Sequence, residues 1–122
     1  MENIEKEILK LLKSRNWDNP SPSNLAKSIS IESAELLECF QWINPTLEEL
    51  ENDKLLFSDI RKELADIMIY CLEFTILLKL NPSEIILDKL KEIDNKYPIK
   101  SIKNNDKEYY KIKKEIRNKR QN

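Results

Sequence analysis

The sequence predicts an all-α domain, a four-helix core followed by a basic tail or extra helix. Three observations lead there. Apolar residues recur at three- and four-residue spacing through four long segments. Asn-Pro or Tyr-Pro pairs at 44–45, 81–82 and 97–98 end those segments, because proline cannot continue a helix and constrains the residue before it. No stretch alternates as a strand would, and the 122 residues contain no Gly, which disfavours tight primed hairpins.

The first helix is expected over residues 2–15, with Ile4, Ile8, Leu11 and Leu12 as its apolar stripe. Residues 16–23, NWDNPSPS, form a loop broken by Pro20 and Pro22, and Ser23 or Asn24 is expected to cap the second helix. That helix should reach Trp42 or Ile43. Thr46 and Glu49 match a capping box for a short helix at 46–50. The third long helix starts near Lys54 or at Ser58 and ends before Pro82. Ser83 reads as the cap of a fourth helix, whose apolar face is Ile85, Ile86, Leu90 and Ile93. Residues 1–99 are read as one domain. Residues 100–122 are a basic extension, with Tyr109, Tyr110, Ile112 and Ile116 among its few sizeable apolar residues.

Two of the helices carry acids where core residues belong. At 100° per residue, Leu25, Ile29, Leu36 and Phe40 share a narrow arc, with Glu32 in its middle and Glu35 at its edge. In the third helix Ile60, Leu64, Ile67, Cys71, Phe74 and Leu78 share a broad arc, with Glu63 inside it and Asp66 at its flank. A carboxylate on a core-facing arc is costly unless something pairs with it. Acid–x–x–acid pairs are usually just solvated, and Lys27, Arg61 or Lys62 could neutralise these four. Those cations lie well round their helices from the arcs, however, and the same intrusion appears twice. Four converging carboxylates therefore read as an oxygen-ligand site for one or two Mg²⁺ ions, with Mn²⁺ as a substitute.

Composition narrows the chemistry. The absence of His excludes His-based catalysis, His-ligated zinc and the Glu-x-x-His pairs of ferritin-like di-iron sites. The absence of Gly disfavours a Gly-rich phosphate loop. Cys39 and Cys71 fall within or beside apolar arcs and read as two buried thiols in a reducing cytoplasm. No apolar run is long enough to span a bilayer, and the start reads as an amphipathic helix rather than a signal peptide. Residues 100–122 hold nine basic residues against three acids, while the rest holds twelve against nineteen. Nucleic-acid binding through residues 100–122 is a third reading, ranked last because the acidic body would repel a phosphate backbone.

Taken with their flanking words, these acids resemble the MazG-like all-α nucleoside triphosphate pyrophosphohydrolases. The pattern is Glu32-x-x-Glu35 followed by Glu63-x-x-Asp66. Around it stand Arg15-Asn16-Trp17, Asn24-Leu25, Phe40-Gln41-Trp42, Tyr70 and Lys96-Tyr97-Pro98. The likeness covers roughly residues 2–99 and is strongest to the compact branch containing dCTP pyrophosphatases. It implies Mg²⁺-dependent hydrolysis of a nucleoside triphosphate, dCTP among the candidates, to the monophosphate and pyrophosphate. Glu32, Glu35, Glu63 and Asp66 would hold the metal, and Glu35 or Glu38 would act as general base, although Glu38 also reads as an ordinary exposed helix acid. Trp17, Trp42 and Tyr70 are candidates for a base and sugar pocket; core packing is their alternative role. Asn24, Lys89, Asn95, Lys96 and Tyr97 are further substrate contacts under the same resemblance, though a plain surface role is the default for Lys89 and Lys96.

Two departures touch base recognition. Ile93 stands where the family often has Asn, with Asn95 as a substitute. Prolines and serines replace an aromatic-His pair after Trp17. The apolar arcs of the second and third helices are too broad for four helices to cover, so a homodimer or homotetramer is expected. The rival reading is a non-catalytic helical interaction protein of the same fold.

Overall fold

The structure, a computed structural model, describes residues 2–99 and 106–121. The remaining basic-tail residues, 100–105 and 122, lie outside that description, as do the side chains of 106–109 and 121. Among the described residues the architecture is entirely helical: α1 (Glu2–Ser14), α2 (Pro22–Glu38), α3 (Leu47–Asn52), α4 (Lys54–Leu77), α5 (Pro82–Lys96) and α6 (Asp106–Gln121). None of these helices is long and apolar enough to cross a membrane. The chain divides into two compact units, Met1–Pro82 and Ser83–Asn122.

In the first unit α4 is the spine. It packs chiefly on α2 and also meets α1 and α3. Leu25 of α2 and Leu12 of α1 are the buried hydrophobic side chains among the described residues, at 2% and 6% exposure. Burying a leucine contributes about 1.5–3 kcal/mol, so this chain on its own holds a thin core.

Local chemistry sets the helix ends. Ser21, not Ser23 or Asn24, caps α2: its Oγ accepts the Asn24 backbone N–H at 3.1 Å. Pro22 can then occupy the first helical position, where its fixed φ suits the helix and its missing N–H is no loss. The far end of α2 also differs from expectation. Regular α-helix stops at Glu38 and the chain tightens into three-residue turns, with Phe40 N–H donating to Leu37 O and Gln41 N–H to Glu38 O. Continuing the helix to Pro45 would drive the proline ring into the carbonyl of Gln41.

The Thr46–Glu49 pair caps α3 as expected. The Glu49 backbone N–H donates to Thr46 Oγ1 at 3.2 Å, and the Thr46 hydroxyl lies 3.1 Å from Glu49 Oε1. Asp53 then caps α4 through the Leu56 N–H, so α4 starts at Lys54. Helix α5 starts at Pro82, one residue before the expected Ser83 cap, again with proline on the first turn.

Helices α1 and α4 both end on a left-handed residue, Asn16 (φ 58°) and Lys79 (φ 57°). At each end two backbone bonds close the Schellman pattern. Trp17 N–H reaches Leu12 O and Asn16 N–H reaches Lys13 O; Leu80 N–H reaches Thr75 O and Lys79 N–H reaches Ile76 O. Glycine usually fills this position, and the chain has none to place there.

The second unit contains α5 beyond Pro82 and α6. The four apolar residues expected to line α5, Ile85, Ile86, Leu90 and Ile93, are all exposed.

The expectation of two buried thiols is corrected. Cys71 is exposed and Cys39 half-buried, and neither is in a disulfide. The α4 arc is broader than the face α2 covers, which leaves Leu64, Cys71 and Leu78 open.

Candidate metal centre

The Pro22 start and the Asp53 cap bring the acid-bearing turns of α2 and α4 to one face between the two helices. Carboxylate oxygens of Glu32, Glu63 and Asp66 lie within 4.8 Å of one another. Glu32 and Glu63 are half-buried, while Asp66 and Glu35 are exposed. The Glu35 carboxyl sits within hydrogen-bonding reach of both Glu32 and Glu63. Each of those two keeps one enclosed oxygen, Oε2, with no hydrogen-bond partner.

The electrostatics follow from this crowding. Enclosure, and then the neighbouring Glu35, Glu63 and Asp66, push the Glu32 carboxyl from its ordinary 4.5 up to about 7. Glu63 is also raised, first by enclosure and then by Glu35. The thiol of Cys39, at the end of α2, rises through burial and then through the charges of Asp59 and Glu63. No Lys or Arg side chain among the described residues pairs with the cluster. Among the described residues the ion pairs are Lys6–Glu2, Lys89–Glu92 and Lys96–Glu92, so Lys27, Arg61 and Lys62 do not neutralise it.

This arrangement fits a divalent cation. Two enclosed oxygens without donors each forgo a hydrogen bond, a loss a bound cation would make good. All the candidate ligand atoms are hard carboxylate oxygens, which suits Mg²⁺ or Mn²⁺ and offers nothing to a soft metal.

The aromatic candidates lie in different settings. Tyr70, one turn beyond Asp66, is half-buried with Ser28 within hydrogen-bonding reach. Burial and then the charge of Glu32 push its hydroxyl pKa up. Trp17 follows the end of α1 and is 59% exposed, with the Arg15 guanidinium 5.9 Å from its ring centre. Trp42, on the turns after α2, is 86% exposed. Neither tryptophan packs in the core of this chain, which sets aside the core-packing alternative for both.

Asn24 lies in the first turn of α2 and is exposed. Glu38 is the last α2 residue and is exposed. Lys89 and Lys96 share Glu92 on α5: Lys89 lies 3.2 Å from Glu92 Oε1 and Lys96 also pairs with it. Lys96 and then Lys89 hold the Glu92 carboxyl below its ordinary range. Asn95 is exposed on α5, and half-buried Tyr97 closes that helix through its N–H to Ile93 O. Lys89, Asn95, Lys96 and Tyr97 all belong to the second unit.

Two neighbouring residues, Ser28 and Glu73, escape a reading of the sequence. Ser28 is one turn before Glu32 on the same face, a visible spacing, but its pairing with Tyr70 depends on how α2 and α4 meet. Glu73 is half-buried and its pKa is raised by burial. It edges a mostly apolar groove of about 610 Å³ between α1 and α4, lined by Ile4, Ile8, Leu11 and Ile69 and by none of the four acids. Arg15, already part of the Arg15-Asn16-Trp17 word, gains its contact with the indole once the corner at Asn16 folds it over Trp17.

Comparison with known proteins bears on this geometry. The sequence profile of the MazG-like family matches residues 27–112, which takes in both acid pairs. The chain belongs to the MazG-like family. Among solved structures it is similar to a pyrophosphatase from Archaeoglobus fulgidus, with 38% sequence identity and a TM-score of 0.70. That likeness covers 80% of this chain and 92% of the other. No curated relative matches. The MazG-like match also reaches the first turns of α6.

Proposed function

We propose that this MazG-like chain hydrolyses a nucleoside triphosphate to the monophosphate and pyrophosphate in a Mg²⁺-dependent reaction, with Mn²⁺ as substitute and dCTP a candidate substrate. The observation that carries the reading is the pair of enclosed, partnerless oxygens on Glu32 and Glu63 beside Asp66. Membership of the family and the likeness to a pyrophosphatase support it.

Glu32, Glu35, Glu63 and Asp66 would hold the cation. When bound, it supplies positive charge to the triphosphate oxygens and to the pyrophosphate as that group departs. The reaction consumes one water and breaks the α–β phosphoanhydride. We assign the proton of that water to Glu35, the exposed acid beside Glu32 and Glu63, with Glu38 one turn on as the alternative. Trp17 and Trp42 would stack on the base, for which exposed aromatic faces suit any nucleobase. Tyr70 would brace the sugar end. Asn24, Lys89, Asn95, Lys96 and Tyr97 would complete the substrate contacts.

Residues 1–99 are taken as the catalytic domain and 100–122 as a basic extension, working as a homodimer or homotetramer in the cytoplasm, where its free thiols would persist. The thin core supports assembly. Phe57, Leu64 and Met68 form an exposed stripe on α4, a patch that a second copy would cover.

The test is pyrophosphate release from a panel of dNTPs and NTPs, with Mg²⁺ and with EDTA. Mg²⁺-dependent release from one or a few members is expected. Release that EDTA leaves untouched, or silence from a folded protein that also shows no cation-dependent stabilisation, would move the assignment to the non-catalytic interaction protein.

A further inference from the structure

The net charge of −1 averages an acidic body with a basic C-terminal end. A phosphate meets only the charges near it, because the field of more remote ones is screened over a Debye length of ~10 Å at 0.1 M salt. The local surface of α6 is what such a partner would meet. On a helix advancing 100° per residue, Arg120, Lys113, Arg117, Lys114 and Lys111 fall in sequence around about half of the circumference. All five side chains are exposed. Tyr110 falls within the same arc, between Arg117 and Lys114, and is 69% exposed. Glu115 lies beyond the arc, and the half-buried Ile112 and Ile116 lie on the opposite side. The whole unit Ser83–Asn122 leans the same way, with twelve basic residues against seven acids.

We propose that α6 is a docking helix for single-stranded nucleic acid, its basic arc meeting the phosphates and Tyr110 offering a face for a base. A positive track with an aromatic set into it is how proteins hold single strands without reading their sequence. Duplex DNA keeps its bases stacked on one another and would leave the tyrosine unused. An anionic membrane suits the helix poorly, because interfacial helices bury a broad apolar face and α6 has only Ile112 and Ile116 described on its apolar side. The proposal does not depend on the catalytic reading.

The test is fluorescence anisotropy of a labelled single-stranded 20-mer against the full chain in EDTA, repeated from 25 to 200 mM salt. Engaging three or four phosphates predicts a slope of log affinity on log salt of roughly −2 to −3 for a single strand. The triple variant K113Q/K114Q/R117Q keeps helix-forming side chains and should weaken binding by about 10-fold or more while flattening the salt slope. Its circular dichroism and its pyrophosphate release should match the parent. Tyr110→Ala should weaken binding by about 5-fold or more, the range of a lost base stack. Several outcomes overturn the proposal: no binding at 25 mM salt, unchanged binding by the triple variant, or tighter binding to the matching duplex, to polyglutamate or to vesicles of anionic lipid.

Discussion

Glu32 on α2 and Glu63 on α4 face one another across the helix pair, and each keeps its Oε2 enclosed and unpartnered. Two carboxylates so held destabilise the fold they belong to, and a bound cation would relieve that cost. The first prediction is therefore opposite in sign for stability and for activity. Glu32→Gln should raise the melting temperature of the metal-free protein and remove its stabilisation by Mg²⁺. Turnover should fall by more than ~100-fold, since even outer partners of metal ligands are worth 10–100-fold. Melting curves with and without Mg²⁺, beside a pyrophosphate assay, check both halves. A variant that melts lower without metal and keeps its Mg²⁺ response would sink the assignment of Glu32.

The same pair makes stability depend on pH. The Glu32 carboxyl is raised from 4.5 to about 7, so across that window the folded state holds a proton that the unfolded state has released. Stability of the metal-free protein should thus fall as pH rises through the window. Melting temperature measured from about pH 5 to about pH 7.5 should decline, less steeply in Glu32→Gln. Mg²⁺ should stabilise most at the upper end.

Ser21→Ala should destabilise the protein by about 1 kcal/mol, the usual worth of an N-cap, and weaken Mg²⁺ binding because the capped helix carries Glu32 and Glu35. Ser21→Asp should retain most of the stability, since an aspartate caps equally well. Urea unfolding of the three proteins decides it. Equal stability in all three would mean that the Asn24 bond contributes nothing.

Tyr70→Phe should lower stability by about 0.5–1.5 kcal/mol, the net worth of one hydrogen bond, because Ser28 loses its partner on α4. If Tyr70 also braces substrate, KM should rise while the Mg²⁺ dependence stays as it was. A change in Mg²⁺ dependence alone would relocate its role to the acids.

Met68→Glu places a charge on the exposed apolar stripe of α4. Light scattering coupled to gel filtration should show the parent as a dimer or tetramer and the variant shifted toward monomer. Monomeric behaviour of the parent itself would count against the assembly.

Much of this molecule is readable from residue order. Glu32 and Glu63 declare themselves because each interrupts an apolar helical arc. The Thr46–Glu49 cap and the stops at Asn81-Pro82 and Tyr97-Pro98 rest on local rules that tertiary packing leaves alone. The misreadings concern places where two local rules compete. Pro22 shifts the α2 cap back to Ser21, and Pro45 unwinds the chain from Cys39 onward rather than at Asn44. What could not be read needs the angle between helices: the reach of Ser28 to Tyr70, and the width of the α4 arc that α2 leaves uncovered, which exposes Cys71.

The left-handed corner at Asn16 has a further consequence. A glycine there would leave the unfolded chain more conformations to lose and the folded corner more freedom to move. Asparagine, locked by two backbone bonds, holds Trp17 at a set angle beneath Arg15. A ligand stacking on that indole would meet a backbone already ordered, so less ordering entropy would be spent on contact. If Trp17 stacks on a base as proposed, recognition on this corner would be a matter of fit rather than of adjustment: the rigidity that lets a chain without glycine turn would also limit how many shapes of base its tryptophan could accept.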